Sequence, residues 1–451
     1  MSPHDGLNRR AFLKNAGMTA LVGAVGTGTT VSAALAGVAD EPANGQYDFD
    51  TVYSRIGTDC IKWDAQIARY GKDNIEVGMG IADMDFEAAP CITRALAERC
   101  MHKNWGYLST PQSYIDSIVN WNKTRYGLEI DPDTVVIADG VHPGLIAALG
   151  TFSPPGSRVL LTTPTYNGFY GDLRATRTIA EDSPMTLVNG RYSIDFDDLE
   201  SRISPETNTL ILCNPQNPTG NCWSPEDLTR IGEICLERRI VVLADEIHCD
   251  FVMKGQKYTP FASLPNKDIV NNSLTFKAAS KTFSLAAMKN AWFFSTNPDY
   301  LARVRANHRA NTNTLGVVAN HAALTEGTDW LDQLLVYIDG NHEFVESYVR
   351  ENIPLVKYTK AQGTYLAWLD VSEVGARIGA SAEAAKASTG SRMVSPETIL
   401  EQWFVEHAKV HLNAGSSYGT GGAGHMRMNL GASRTLIKKA LENMAQALTN
   451  L

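Results

Sequence analysis

The chain has no Cys-x-x-Cys pair, and its cysteines, at positions 60, 91, 100, 213, 222, 235 and 249, never group with histidine at metal-ligand spacing. That scatter excludes a zinc site of the usual pattern and a disulfide framework. The seven read as mostly reduced core residues, and the odd number leaves at least one thiol without an intramolecular partner. A basic surplus is missing too: the formal net charge is −9, which argues against nucleic acid or another polyanion as partner. Beyond the first few dozen residues no stretch approaches the ~20 apolar residues that a membrane span requires. What is present is 451 residues, 44% hydrophobic and 20% charged, the composition of a globular chain with core enough for more than one domain.

The N-terminus departs from that composition. Asn8-Arg9-Arg10-Ala-Phe-Leu-Lys14 precedes a weakly apolar stretch from Ala16 to Leu35, and Ala34-Leu-Ala36 offers small residues for cleavage. This has the form of a twin-arginine export signal, against the alternatives of a cytosolic amphipathic extension or an uncleaved anchor. The expectation is export of an already folded protein by the twin-arginine machinery to the periplasm. Residues 1–36 carry Arg9, Arg10 and Lys14 against Asp5, so removing them takes the net charge from −9 to −11. No cysteine follows the cleavage site, which argues against a lipid anchor.

Further on, turn-bounded apolar runs alternate with helical stretches, the pattern of a largely parallel sheet wrapped by helices. Strands are predicted at 134–138, 159–163, 210–213, 240–244, 272–275 and 291–295, and a long helix at 330–349. Three motifs stand just past the carboxyl ends of such strands: Asn214-Pro-Gln-Asn217-Pro-Thr-Gly220, Asp245-Glu-Ile-His248 and Ala278-Ala-Ser-Lys281-Thr-Phe283. In open α/β sheets that edge is where ligands bind. Together they supply what pyridoxal phosphate needs. Lys281 can bond covalently to the cofactor's aldehyde, Asp245 can keep the pyridine nitrogen protonated, and Asn217 can donate to the ring oxygen. Asp139-Gly-Val-His-Pro-Gly144, between a strand and a helix, aims the amides of Val141 and His142 at the phosphate. Ser280 and Lys289 are further phosphate candidates. From 375 to 390 the apolar pattern gives way to Gly, Ala and Ser, which reads as a surface insertion.

With these motifs in this order, the chain resembles the fold-type I pyridoxal-phosphate enzymes of the aminotransferase class I/II superfamily, from about Tyr47 to the C-terminus. Within it the cystathionine β-lyase, or cysteine C-S lyase, branch is the nearest in its words: Gly57-Thr-Asp-Cys-Ile-Lys-Trp-Asp64, Ala82-Asp-Met-Asp-Phe86, Trp105-Gly-Tyr107, Asp245-Glu-Ile-His248 and Arg427-Met-Asn-Leu-Gly431. His248 is the discriminating letter. The resemblance implies an α/β fold with a large, mostly parallel-sheet domain at 91–329 and a smaller α+β domain at 330–451, the latter joined by part of 37–90. It also implies that Tyr166 stacks on the cofactor ring and that Tyr107 reaches the phosphate of a neighbouring subunit, making the enzyme a homodimer. Arg427 would pair with the substrate carboxylate, Arg434 being structural, and His248 would adjust the hydrogen bonding of the ring oxygen and Lys281.

Three departures stand out. Lys289 occupies a place where the superfamily often has arginine, which loses the bidentate fork and leaves His142 as a possible compensation. Ala278 replaces a small hydroxyl. Met79-Gly80-Ile81 replaces a segment with tryptophan near the substrate mouth, so the pocket is expected to be larger or differently shaped. The expected activity is a C-S β-lyase that cleaves cystathionine or another S-substituted cysteine to a thiol, pyruvate and ammonia. An aminotransferase is the alternative, and a catalytically idle cofactor-binding protein the third reading.

Overall fold

The computed structural model describes residues 41–449, Ala43 excepted, together with Leu451. The export signal expected over 1–36, with Arg9, Arg10 and Ala36, lies outside the described residues. In chain order the strands are β1 (Val77–Gly78), β2 (Val136–Ala138), β3 (Arg158–Thr163), β4 (Ile179–Pro184), β5 (Thr186–Val188), β6 (Arg191–Ser193), β7 (Thr207–Cys213) and β8 (Val241–Asp245). They continue as β9 (Ser273–Lys277), β10 (Ala291–Phe294), β11 (Leu366–Asp370), β12 (Val410–His411), β13 (Asn413–Ala414) and β14 (His425–Asn429).

The main sheet has the order β2-β10-β9-β8-β7-β3-β4. Only β10 is reversed, antiparallel to β2 and β9, while the remaining neighbours run parallel. The carboxyl ends of β2, β3, β7, β8 and β9 therefore share one edge. Alternate residues feed opposite faces: Leu161, Ile211, Leu243 and Leu274 join one core and Leu160, Leu210, Leu212 and Val242 another. Burial on both faces explains why these strands read as nearly unbroken apolar runs.

Six of the seven strands lie where the apolar runs put them, within a few residues. The seventh, β4, escapes that reading because it is an edge strand containing Glu181 and Asp182, and an edge needs apolar residues only where it meets its single neighbour. The Gly/Ala/Ser segment expected as a surface insertion is largely helical. It forms two short helices, Ser372–Arg377 and Ala380–Ala387, broken at Gly379 with φ 66°. Alanine is the best helix former, so loss of apolar periodicity here did not mean loss of helix.

The long helix spans Thr328–Asn352 and links two cores. Its Trp330, Leu331, Leu334 and Ile338 pack with Phe283 and Trp292 beside the main sheet, and Val345 and Val349 pack with Leu369, Met426 and Met428. The latter residues belong to the antiparallel sheet β11-β14-β13, which with the β1–β12 pair and the helix Arg434–Leu448 forms a second layered unit. Arg427 on β14 thereby faces the edge of the main sheet.

A buried polar knot ties the β8 and β9 ends together. Lys277 Nζ donates to Asn122 Oδ1 (2.8 Å), stands 3.9 Å from Glu246 Oε2 and lies 4.1 Å from the centre of the Tyr126 ring. Glu246 accepts from the Phe261 amide (2.7 Å) and from the Tyr258 hydroxyl. Asp250 accepts from Trp121 (3.2 Å) and from Thr282 (2.6 Å), the neighbour of Lys281. Removing one member strands a buried charge, so Lys277→Met is expected to lower stability by about 3–5 kcal/mol in chemical denaturation. A loss below about 1 kcal/mol, the level of an exposed pair, would contradict this account of the knot.

Candidate active site

Five loops from the shared edge enclose a cavity of about 450 Å³. Gly140 to Pro143 follow β2, Tyr166 follows β3, Asn217 follows β7, Asp245 to His248 close β8, and Ser280 with Lys281 follow β9. Lys289 lines the same cavity, exposed and with no ion pair among the described residues. The helix Val141–Phe152 has no side-chain cap, so the amides of Val141 and His142 begin it as open donors with the helix dipole behind them.

Asp245 is fully buried and its carboxyl is raised to about 6 by burial, with the Ile247 amide (3.1 Å to Oδ1) and the charge of His142 opposing. Lys281 is the mirror case. Burial and the charge of Arg427 lower its ammonium to about 8, against the pull of Asp83 and Asp245. Its Nζ donates to the carbonyl of Ala82 (2.7 Å), an oxygen that also receives the Tyr365 hydroxyl (3.0 Å). His248 is held neutral by burial and by the charges of Lys281 and Arg427; its Nδ1 is buried with no partner among the described residues.

Arg427, only 2% exposed, donates through Nη1 to Asn217 Oδ1 (3.1 Å) and through Nη2 to the Gly80 carbonyl (2.8 Å). Its guanidinium lies 5.1 Å from the Tyr418 ring centre, and its Nε has no partner among the described residues. Arginine only donates, so Asn217 must turn its oxygen to Arg427, which leaves the amide nitrogen free to donate elsewhere. Arg434 is turned away: its Nε bonds to Asn341 Oδ1 (2.7 Å) and its guanidinium lies over Phe344 (5.1 Å).

Tyr166 sits on the cavity wall, its phenol raised to about 12 by burial. His142 contributes more than an amide. Its Nδ1 lies 2.7 Å from Asp172 Oδ2 and its Nε2 3.3 Å from the Tyr166 hydroxyl, so the ring is already engaged and not free to stand in for an arginine at the phosphate. Tyr107 is not brought to this cavity by its own chain; it is fully exposed beside Trp105 on a separate groove. Gly80 has no room for a side chain: a Cβ there would come within 2.5 Å of the His411 ring and of Asn413 Oδ1, so those side chains occupy the space beside it.

Asp172 and Tyr365 were missed by sequence reasoning. Asp172 had a signal, a charged residue on the buried Phe169/Leu173 face of the helix Gly168–Thr176. Tyr365, in an ordinary apolar run, had none.

The comparison with known proteins follows this geometry. The model of the family described as aminotransferase class I and II matches residues 74–444. The chain belongs to that family. It is similar to cystathionine beta-lyase PatB of Bacillus subtilis, 36% identical over 89% of this chain and 100% of the relative. Among solved structures it is similar to cystalysin from Treponema denticola, which contains a pyridoxal 5'-phosphate cofactor, with TM-score 0.81, 28% identity and coverage of 90% of this chain and 99% of that one. The PLP-bound C-S lyase from Staphylococcus hominis is also similar, with TM-score 0.79, 28% identity and coverage of 89% and 98%. Family membership extends across both layered units, since the match runs from before β1 into the last helix.

The raised Asp245 carboxyl has a thermodynamic signature in the cofactor-free chain. Folding favours its protonated form, so the associated stability is full below pH 3.8 and is lost as pH rises through about 6. Asp245→Asn should be the more stable protein at pH 7 by roughly 3 kcal/mol and the difference should vanish near pH 4. Denaturation at both pH values checks this; equal stabilities throughout would contradict it.

Proposed function

We propose that this protein is a pyridoxal-phosphate-dependent C-S β-lyase acting on an S-substituted cysteine such as cystathionine. The observation that carries the reading is the convergence on one cavity of the half-buried Lys281 amine and the buried Asp245 carboxyl, with Arg427 tethered to Asn217 beside them. The similarity to PatB and to two C-S lyase structures supports it.

The residues fit the cofactor. Uncapped amides of Val141 and His142, with Ser280 and Lys289, would hold the phosphate; Tyr166 offers an aromatic face; the free amide nitrogen of Asn217 would donate to the ring oxygen. When bound, the cofactor supplies an aldehyde for an amine and a ring that draws electrons from the α-carbon. Asp245 would accept a hydrogen bond from the protonated ring nitrogen, and would ionise there because that positive charge offsets its burial. Lys281, with its ammonium lowered to about 8, holds an accessible fraction of free amine near neutrality, the form that removes the α-proton. Arg427 would offer its Nε–H, unpartnered among the described residues, and its remaining guanidinium hydrogens to the substrate carboxylate. Neutral His248 adds no charge against Lys281 and offers a ring nitrogen for hydrogen bonding. Loss of a sulfur leaving group from the β-carbon, with a proton to the sulfur, then yields a thiol, and water hydrolyses the unsaturated amine left behind to pyruvate and ammonia.

Transamination is the second reading, since it uses the same residues. We further infer a homodimer, supported by exposed Trp105 and Tyr107, and a periplasmic location reached by the twin-arginine route, supported by Arg9, Arg10 and the apolar stretch to Leu35.

The mature protein should release pyruvate catalytically from S-substituted cysteines and do little with alanine. Lys281→Ala should abolish turnover and the borohydride-trapped link to the cofactor. Arg427→Ala should lose about 2–5 kcal/mol of transition-state stabilisation in kcat/KM. Turnover between a plain amino acid and a keto acid, with no pyruvate from any cysteine conjugate, would give the transaminase instead. For export, changing Arg9 and Arg10 to lysine should retain the precursor inside the cell, read by fractionation; mature protein still appearing outside the inner membrane would contradict the signal.

A further inference from the structure

Beyond the backbone amide of His142, the dyad of His142 on the cavity wall and Asp172 behind it has no part in the chemistry described above. Asp172, buried on the helix Gly168–Thr176, holds His142 Nδ1 through both carboxylate oxygens at 2.9 and 2.7 Å. This fixes the ring so that Nε2 meets the Tyr166 hydroxyl at 3.3 Å, with ring centres 5.5 Å apart. The packing leaves no slack: a Cβ at Gly168 would fall 2.5 Å from the Tyr166 ring and 2.6 Å from His142 Cε1.

We propose that His142 is a positioning residue whose protonation state decides which way the Tyr166 hydroxyl hydrogen points. The inference rests on the cavity being the reaction site. As a cation His142 donates from both nitrogens, to Asp172 and to the Tyr166 oxygen, which frees the phenol hydrogen to be donated into the cavity, toward an anionic atom of the bound reactant. As a neutral ring donating from Nδ1 to Asp172, it presents a bare Nε2. The phenol then donates to His142, and the donor is withdrawn from the cavity.

The groups that face His142 favour the cation. Asp172 comes from the neighbouring helix and Asp245 from β8; Lys281 opposes them, and Tyr166 is neutral. Hydrogen bonding to Asp172 is the largest influence and raises the imidazolium above its ordinary range, burial working against it. The outward donor is therefore present below that raised value and lost as pH rises through it. Asp139 and Lys289 line the same cavity.

The test uses the cofactor-loaded full chain labelled with 13Cε1-histidine. The His142 resonance should titrate above free histidine, and its midpoint should fall in Asp172→Asn and also in Tyr166→Phe, which loses the acceptor for Nε2–H. In kcat/KM the native alkaline limb should flatten in His142→Gln, whose amide donates without titrating, whereas His142→Val should lose about tenfold at every pH below that limb. In the Tyr166→Phe background His142→Gln should have no further effect on the limb. The cofactor dissociation constant should change less than about threefold in His142→Gln, since a residue turned to Tyr166 contributes little to phosphate affinity. An unmoved His142 midpoint in Tyr166→Phe would overturn the proposal, as would a weakening of cofactor binding by about tenfold or more, the signature of a phosphate ligand. Absence of lyase activity would fail the functional reading but leave the histidine titration able to decide this one. Failure of this proposal alone would leave pyruvate release intact, with its alkaline limb indifferent to residue 142.

Discussion

Dehydration of one cavity governs this molecule. A carboxyl and an amine brought out of water both lean toward their neutral forms, and here Asp245 and Lys281 do so from opposite directions, to about 6 and about 8. Neither could be held so in a loop open to solvent. The sheet makes the enclosure possible: six strands end at one edge, and the loops of five of them converge on the cavity. Below them the Lys277–Glu246 and Asp250–Thr282 contacts fix the two reactive strand ends against each other. Buried polar knots of this kind are poor sources of net stability, so this one is better understood as specifying geometry.

The legible part of the fold was what burial writes into sequence. Strands covered on both faces must be apolar throughout, and β3, β7, β8, β9 and β10 could be found for that reason. The carboxyl-end motifs could then be assigned to one edge because parallel strands leave no other place for them. Edge strand β4 and the alanine-rich helices were harder. Their residues satisfy backbone and solvent more than core, and composition alone does not separate such elements from loops.

The site divides along the same line. Lys281, Asp245 and Asn217 carry unusual chemistry in short words and stand out in one dimension. Asp172 and Tyr365 act only through neighbours distant in sequence: Asp172 through His142, and Tyr365 through the Ala82 carbonyl that also receives Lys281. Tyr107 is a third kind of case. Its position on the chain is plain, but its expected work lies with another copy, and within one chain it is an exposed ring beside Trp105.

Gly80 shows how a departure from family wording is absorbed. Loss of a large side chain at the mouth invites the inference of extra room, yet His411 and Asn413 fill that room so closely that no Cβ fits. The same glycine keeps its carbonyl free for Arg427 Nη2. A residue without a side chain thus stands between the His411 and Asn413 side chains and the Arg427 guanidinium. Any side chain at 80 must move His411, Asn413 or both. The surroundings of Gly80 are therefore set by β12, β13 and β14 of the second unit, whose register fixes where His411, Asn413 and Arg427 stand.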